Sequence, residues 1–253
     1  MKITLLGTGT SQGVPVIACH CEVCKSTNFK DKRLRSSVMI EVDGQNFVID
    51  TGPDFRQQML REKVQILDGV LFTHHHKDHV AGMDDIRAFN HKWKKDMQIY
   101  CTNITGNALK NEFPYVFSND NYPGVPKVSI NTITNRSFKI QDTTIIPIEA
   151  KHYLMPIFGF RIKNFIYLTD VSSISDKEKD KMQNADLIIL DALRKKEHIS
   201  HFNLDQALAL LDELKPKQAL LTHISHYMGL HDDVNKELPN HIKLGYDSQK
   251  VIL

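Results

Sequence analysis

Long apolar runs are missing from this 253-residue chain. No window approaches the ~18 uninterrupted apolar residues of a membrane span, so a soluble protein is expected. The start, Met1-Lys2-Ile3-Thr4-Leu5-Leu6-Gly7, lacks the apolar core and small-residue cleavage site of a secretory signal and reads as a first strand. An excess of one charge is missing too. Lys and Arg total 32 against 30 acidic residues, and a net charge of +2 supports neither a basic nucleic-acid surface nor an acidic tail. Cysteine is scarce. Three of the four crowd into Cys19-His20-Cys21-Glu22-Val23-Cys24, which is no disulfide framework for a protein of this size, so a reducing compartment, the cytoplasm, is expected. Internal repeats, low-complexity tracts and linkers are absent, and residues 1–253 read as a single domain with one sizeable core. What the chain does have is histidine. Thirteen of them raise the expectation of metal or proton-transfer chemistry, and only their spacing can locate it.

Val38 to Asp50 alternates apolar and polar residues about Asp43-Gly44, which predicts an antiparallel hairpin. Gly69-Val70-Leu71-Phe72-Thr73 reads as a buried strand that ends at a histidine cluster. Further strands are expected at Gln98–Cys101, Val128–Ile133, Thr144–Ile148, Phe158–Ile162, Phe165–Thr169, Leu187–Leu190 and Gln218–Leu221. Ser175-Asp176-Lys177-Glu178 has the form of a capping box opening a polar helix, and Leu204 to Leu214 has helical apolar spacing before Pro216. Arg56–Glu62, Asp84–Asn90 and Asp233–Leu238 are weaker helices, and Asn111 to Pro126 reads as an ordered loop or lid. Short turns early and strand–helix alternation later predict two sheets packed face to face with helices outside.

The run Thr73-His74-His75-His76-Lys77-Asp78-His79 carries the chemistry. His74 and His76 are two apart after a strand, so an extended backbone points both imidazoles to one side, where they can share an ion. Asp78 and His79 follow where the chain must turn and can reach a second position. This pattern after a strand differs from H-E-x-x-H, whose i, i+4 ligand pair needs a helix, so a thermolysin-like reading is disfavoured.

T-H-x-H-x-D-H resembles the signature of the metallo-β-lactamase superfamily, and the later motifs follow in order: Asp50 after a hairpin strand, His152, Asp170 in Leu168-Thr169-Asp170, and His223 in Leu221-Thr222-His223. The resemblance implies an α+β layered αββα sandwich of two mixed sheets. It also implies a binuclear centre: His74, His76 and His152 for one ion, Asp78, His79 and His223 for the other, Asp170 bridging, and Asp50 orienting a ligating imidazole. Two divalent ions against Asp78, Asp170 and a bridging hydroxide leave a formal charge of about +1, which suits an anionic substrate. Imidazole and carboxylate accept zinc, manganese or iron, so ligand type does not name the metal.

Cys19, Cys21 and Cys24 have the C-x-C-x-x-C spacing of three thiolates on one structural zinc. His226, three residues after His223, leads as fourth ligand, with His20 and Cys101 as rivals. This trio, together with Gly7-Thr8-Gly9-Thr10-Ser11-Gln12-Gly13-Val14-Pro15 and Asp50-Thr51-Gly52-Pro53-Asp54, resembles the branch containing phosphoribosyl 1,2-cyclic phosphate phosphodiesterase. The cysteine motif is also similar to that of pyrroloquinoline quinone biosynthesis protein B.

Expelling an alkoxide needs a proton donor, and His198-Ile199-Ser200-His201 offers two histidines. His201, before the Leu204–Leu214 helix, is the expected catalytic acid by resemblance, alongside Asp78 as a catalytic carboxylate. Arg87 either grips a substrate phosphate or pairs with Asp84 on one helical face. The expected function is metal-dependent hydrolysis of a small cyclic or nucleotide-like phosphodiester. The alternatives are a tRNA 3′-processing endonuclease, disfavoured because no long basic arm is found, and a non-hydrolytic accessory protein. The expected partner is a small anionic substrate rather than a membrane or large nucleic acid, and a homodimer is compatible with the sequence.

Overall fold

The computed structural model of the chain describes residues 1–118 and 124–253. Among the described residues fifteen strands form two mixed sheets. The first sheet holds β1 (Lys2–Gly7), β2 (Ser37–Val42), β3 (Gln45–Ile49), β4 (Gly69–Leu71), β5 (Met97–Cys101) and β6 (Val128–Thr132) in that order, with the C-terminal β15 (Lys250–Ile252) beside β1. The second comprises β7 (Phe138–Ile140), β8 (Thr143–His152), β9 (Met155–Ile162), β10 (Phe165–Leu168), β11 (Ser173–Ile174), β12 (Leu187–Asp191), β13 (Gln218–Thr222) and β14 (Ile242–Leu244), in the order β11-β8-β9-β10-β12-β13-β14 with β7 on β8.

Ile3, Ile40, Phe47 and Ile49 from the first sheet meet Phe160, Tyr167, Ile189 and Leu220 from the second in one buried cluster, so the sheets stack face to face. Each outer face is covered by helices. Helix Leu204–Leu214 buries Leu204, Ala207, Leu210, Leu211 and Leu214 on the second sheet, while Phe55, Met59, Ile86, Phe89 and Leu109 cover the first. This is the expected αββα sandwich. Among the described residues no helix is long and apolar enough to cross a membrane.

The Asp43-Gly44 turn forms as predicted, with both residues at positive φ between β2 and β3. Two local readings change. Ser175 caps helix Asp176–Asp180 without a side-chain hydrogen bond, and Glu178, the other half of the predicted box, turns inward to accept from the Glu149 amide at 2.8 Å and from Asn135 at 2.9 Å. A capping box does form at Asn203 and Gln206, which open the next helix. The expected loop from Asn111 to Pro126 begins instead as the end of helix Asn103–Glu112 and a turn of helix at Pro114–Phe117, while positions 119–123 lie outside the described residues.

A buried cation ties the N-terminal loop to helix His231–Glu237. Arg33 donates to Thr8 Oγ1 at 2.9 Å and to His231 Nδ1 at 3.1 Å, and the His231 amide donates to Asp31. Burial, then the Arg33 charge, pushes His231 down to about 4 from an ordinary 6.5. Its folded form therefore stays neutral where the unfolded chain takes up a proton. Stability should fall as pH drops from about 6.5 to about 4, by up to about 3 kcal/mol from this group. Urea unfolding of the native chain and His231→Gln at pH 7 and pH 4.5 checks this. Equal pH dependence in the two proteins would sink it.

Candidate active site

The site lies where strands of both sheets end. Asp50 follows β3, Asp170 comes two residues after β10, and His223 follows β13, and each has positive φ, at 64°, 56° and 58°. That backbone is costly for a residue with a Cβ, and it turns the chain off the sheet where the strand stops. Close backbone packing fixes the intervening loops. An added Cβ at Gly52 would lie 2.1 Å from the Asp78 carbonyl oxygen, and one at Gly82 equally near that of Gly52. The DTG and DHxxG segments therefore interlock only through glycine.

Two donor sets converge. Ligand-type atoms of His74, His76 and His152 lie within 4.8 Å of one another, and so do those of Asp78, His79, Asp170 and His223. Asp170 joins the sets: its carboxylate is 3.2 Å from His79 Nε2, 3.3 Å from His223 Nε2 and 3.9 Å from His74 Nε2. All seven residues expected at the binuclear centre are thus brought together.

The outer ring nitrogens of three imidazoles are tied down. His79 Nδ1 donates to Asp50 Oδ2 at 2.7 Å, His152 Nδ1 to the Ser200 carbonyl at 2.7 Å, and His74 Nδ1 to Thr73 Oγ1 at 2.9 Å. Thr73 passes the bond on to Asp50, which also accepts the Thr73 amide. These bonds select the tautomer whose Nε2 lone pair faces inward. The Nε2 atoms of His74, His79 and His223 are buried without a hydrogen-bond partner, which a protein leaves unmet only at a cost. Orphaned nitrogens beside two carboxylates are the donor set of divalent cations. The electrostatics agree. Burial opposes charge on His79 and His223, yet the Asp78 and Asp170 carboxylates outweigh it, raising His79 well above its usual range and His223 to about 9.

His201 is stationed against this centre, its ring 4.6 Å from that of His152 and 4.7 Å from that of His223. Asp191 Oδ2 accepts from His201 Nδ1 at 3.1 Å and from the Val171 amide at 3.0 Å, while Oδ1 lies 3.8 Å from His223 Nδ1. Asp191 escaped the sequence reading. It stands after the apolar run Leu187–Leu190, just as Asp50 stands after Val48-Ile49, and that repeated strand-then-Asp pattern was the available signal. His198 stays on the rim, its ring 5.3 Å from that of His201. Arg87 pairs with Asp84 at 2.7 Å, and Asp84 also accepts from Tyr115, so the guanidinium is engaged by the turn just before its helix rather than gathered into the donor sets. Lys77 pairs with Glu112.

Beyond the centre, His226 Nδ1 lies 3.2, 3.4 and 3.5 Å from the Sγ atoms of Cys19, Cys21 and Cys24. One nitrogen cannot satisfy three sulfurs by hydrogen bonding, but roughly 3.5 Å is the N–S edge of a zinc tetrahedron with ordinary bond lengths. The Cys24 amide donates to Cys21 Sγ and brings that thiol down to about 6, whereas burial pushes Cys24 up to about 11. The rival ligands fall away. His20 is exposed outside the cluster, and Cys101 is buried in the apolar layer under helix Asn103–Glu112. Cys21→Ser should remove about one zinc per chain and lower Tm by roughly 10 °C. Elemental analysis and a thermal melt read this out, and unchanged zinc content would exclude the assignment.

Residues 45–224 match the family model described as β-lactamase superfamily domain. The chain belongs to the β-lactamase superfamily. A crystal structure of a diphosphatase from the PhnP family is 36% identical, with a TM-score of 0.93 covering all of this chain and 97% of that one. The zinc-bound PqqB of Methylobacterium extorquens, 16% identical with a TM-score of 0.82 over the whole of both chains, shares the fold. A curated octanoyltransferase of Porphyromonas gingivalis is 37% identical over 256 residues, taking in all of this chain but 52% of that protein. The chain thus spans about half the length of that relative. This superfamily member has the metallo-β-lactamase fold, with His and Asp groups suited to metal.

Proposed function

We propose that the chain hydrolyses a small cyclic or nucleotide-like phosphodiester, with His201 as the proton donor to the leaving oxygen. The observation that carries this is the Asp191–His201 pair set against the two donor sets. His74, His76 and His152, and Asp78, His79, Asp170 and His223, would hold zinc, manganese or iron, which would supply an electrophile for phosphoryl oxygens and acidify a water. The protein does the rest. Asp50, Thr73 and Ser200 hold the imidazoles in place, and Asp191 occupies His201 Nδ1, leaving Nε2 as the atom from which a proton can be given. A 36% identical relative described as a diphosphatase supports attack at phosphorus. A near-neutral net charge supports a small anion over a long nucleic acid.

The test is turnover of bis(4-nitrophenyl) phosphate and a panel of cyclic phosphates by the chain loaded with manganese or zinc. Metal-dependent hydrolysis that a chelator stops is expected. A fully loaded protein inert on every diester would refute the reading.

A further inference from the structure

Three large apolar side chains stand in water beside the candidate acid. Tyr153 is 51% exposed, Leu154 77% and Ile199 71%. Tyr153 and Leu154 are the two turn residues between β8 and β9, closed by the His152–Met155 pair, so they directly follow a candidate ligand. Ile199 precedes Ser200, whose carbonyl holds His152, so the hairpin tip and the 198–201 loop abut on the His201 side of the centre. Tyr153 has φ 57°, at the first position of a two-residue turn where glycine is usual. Its amide is pinned by Ser172 Oγ at 2.8 Å, and that hydroxyl donates to the Lys151 carbonyl, so the tip is held in this conformation. An aromatic residue kept in strained backbone, exposed, at the mouth of a site, points to work done by its ring.

We infer that Tyr153, Leu154 and Ile199 form an apolar wall that takes a planar aromatic group, such as a nucleobase, on the leaving-group side of the phosphodiester. This rests on the reading of the site as a phosphodiesterase. Beside His201, the wall faces the fragment that His201 protonates, so the aromatic group belongs to the departing alcohol. Stacking and burial against such a wall discriminate between diesters of equal chemical reactivity.

The experiment compares kcat/KM for dithymidine phosphodiester and for the same diester lacking both bases, whose leaving alcohols are alike. In Tyr153→Gly and in a Leu154→Ser/Ile199→Ser double variant, the preference for the base-bearing diester should fall at least about tenfold, mostly through KM. Metal content should be retained, and Tyr153→Gly should keep Tm within about 2 °C because glycine relieves the strained turn. Unchanged preference, or equal losses on both diesters, overturns the inference, as does a shift from oligomer to monomer with preference intact, which would assign the wall to a second copy. A native chain inert on both diesters while fully metal-loaded would instead strike at the phosphodiesterase reading itself.

Discussion

Asp170→Ala is expected to lose both metal retention and turnover, with kcat/KM falling more than ~10³-fold. Burial alone would push this carboxyl up, but the surrounding imidazoles, His223 and His79 foremost, hold it well below the ordinary carboxylate range. It is therefore an anion at every working pH, and it joins the two donor sets through contacts with His74, His79 and His223. Without it, the five imidazoles of the two sets converge with Asp78 as the one remaining carboxylate. Asp170→Asn, nearly equal in shape, separates charge from packing: it should fold normally and still lose metal. Elemental analysis with a diesterase assay reads both. Retention of two ions per chain by either variant would remove Asp170 from the joining role.

His201→Ala should lower kcat by about 10²- to 10⁴-fold on a diester with a poor alkoxide leaving group, with metal content retained. The loss should shrink on a 4-nitrophenyl ester, whose departing oxygen needs little protonation. That contrast distinguishes proton donation from damage to the centre, since damage would affect both substrates alike. Asp191→Asn should follow the same pattern more weakly, because it frees the His201 ring without deleting it. A uniform loss across leaving groups would rule out His201 as the acid.

Much of this was legible along the chain because the governing interactions are local. The Asp43-Gly44 turn declares its hairpin through backbone sterics within two residues, and an apolar run that meets Thr73-His74 announces a strand delivering imidazoles to one end. The ligand-type residues could be named because Asp170 and His223 sit just past strands, His152 ends one, and the run from His74 to His79 follows another, and strand ends on one edge of stacked sheets come together. Ser175-x-x-Glu178 misled for a physical reason. A glutamate free to cap in isolation was worth more to the fold bonding the Glu149 amide in β8 and the Asn135 side chain.

Choices among rival candidates were settled by long-range packing. His226 rather than His20 or Cys101 completes the thiol cluster because the folded chain carries it across 207 positions to Cys19, a closure no spacing rule encodes. Arg87 went to Asp84, one helical turn away, rather than to the donor sets. Asp191 acquired a role only when β12 came to lie beside β10 and β13, setting it under both His201 and Val171. The run from Thr73 to His79 thus specifies which groups are offered and toward which side, since side-chain direction follows from the adjacent backbone. Which partner each group meets depends on long-range packing, since a hydrogen bond or a coordination sphere requires a second residue whose arrival only the closed sandwich guarantees.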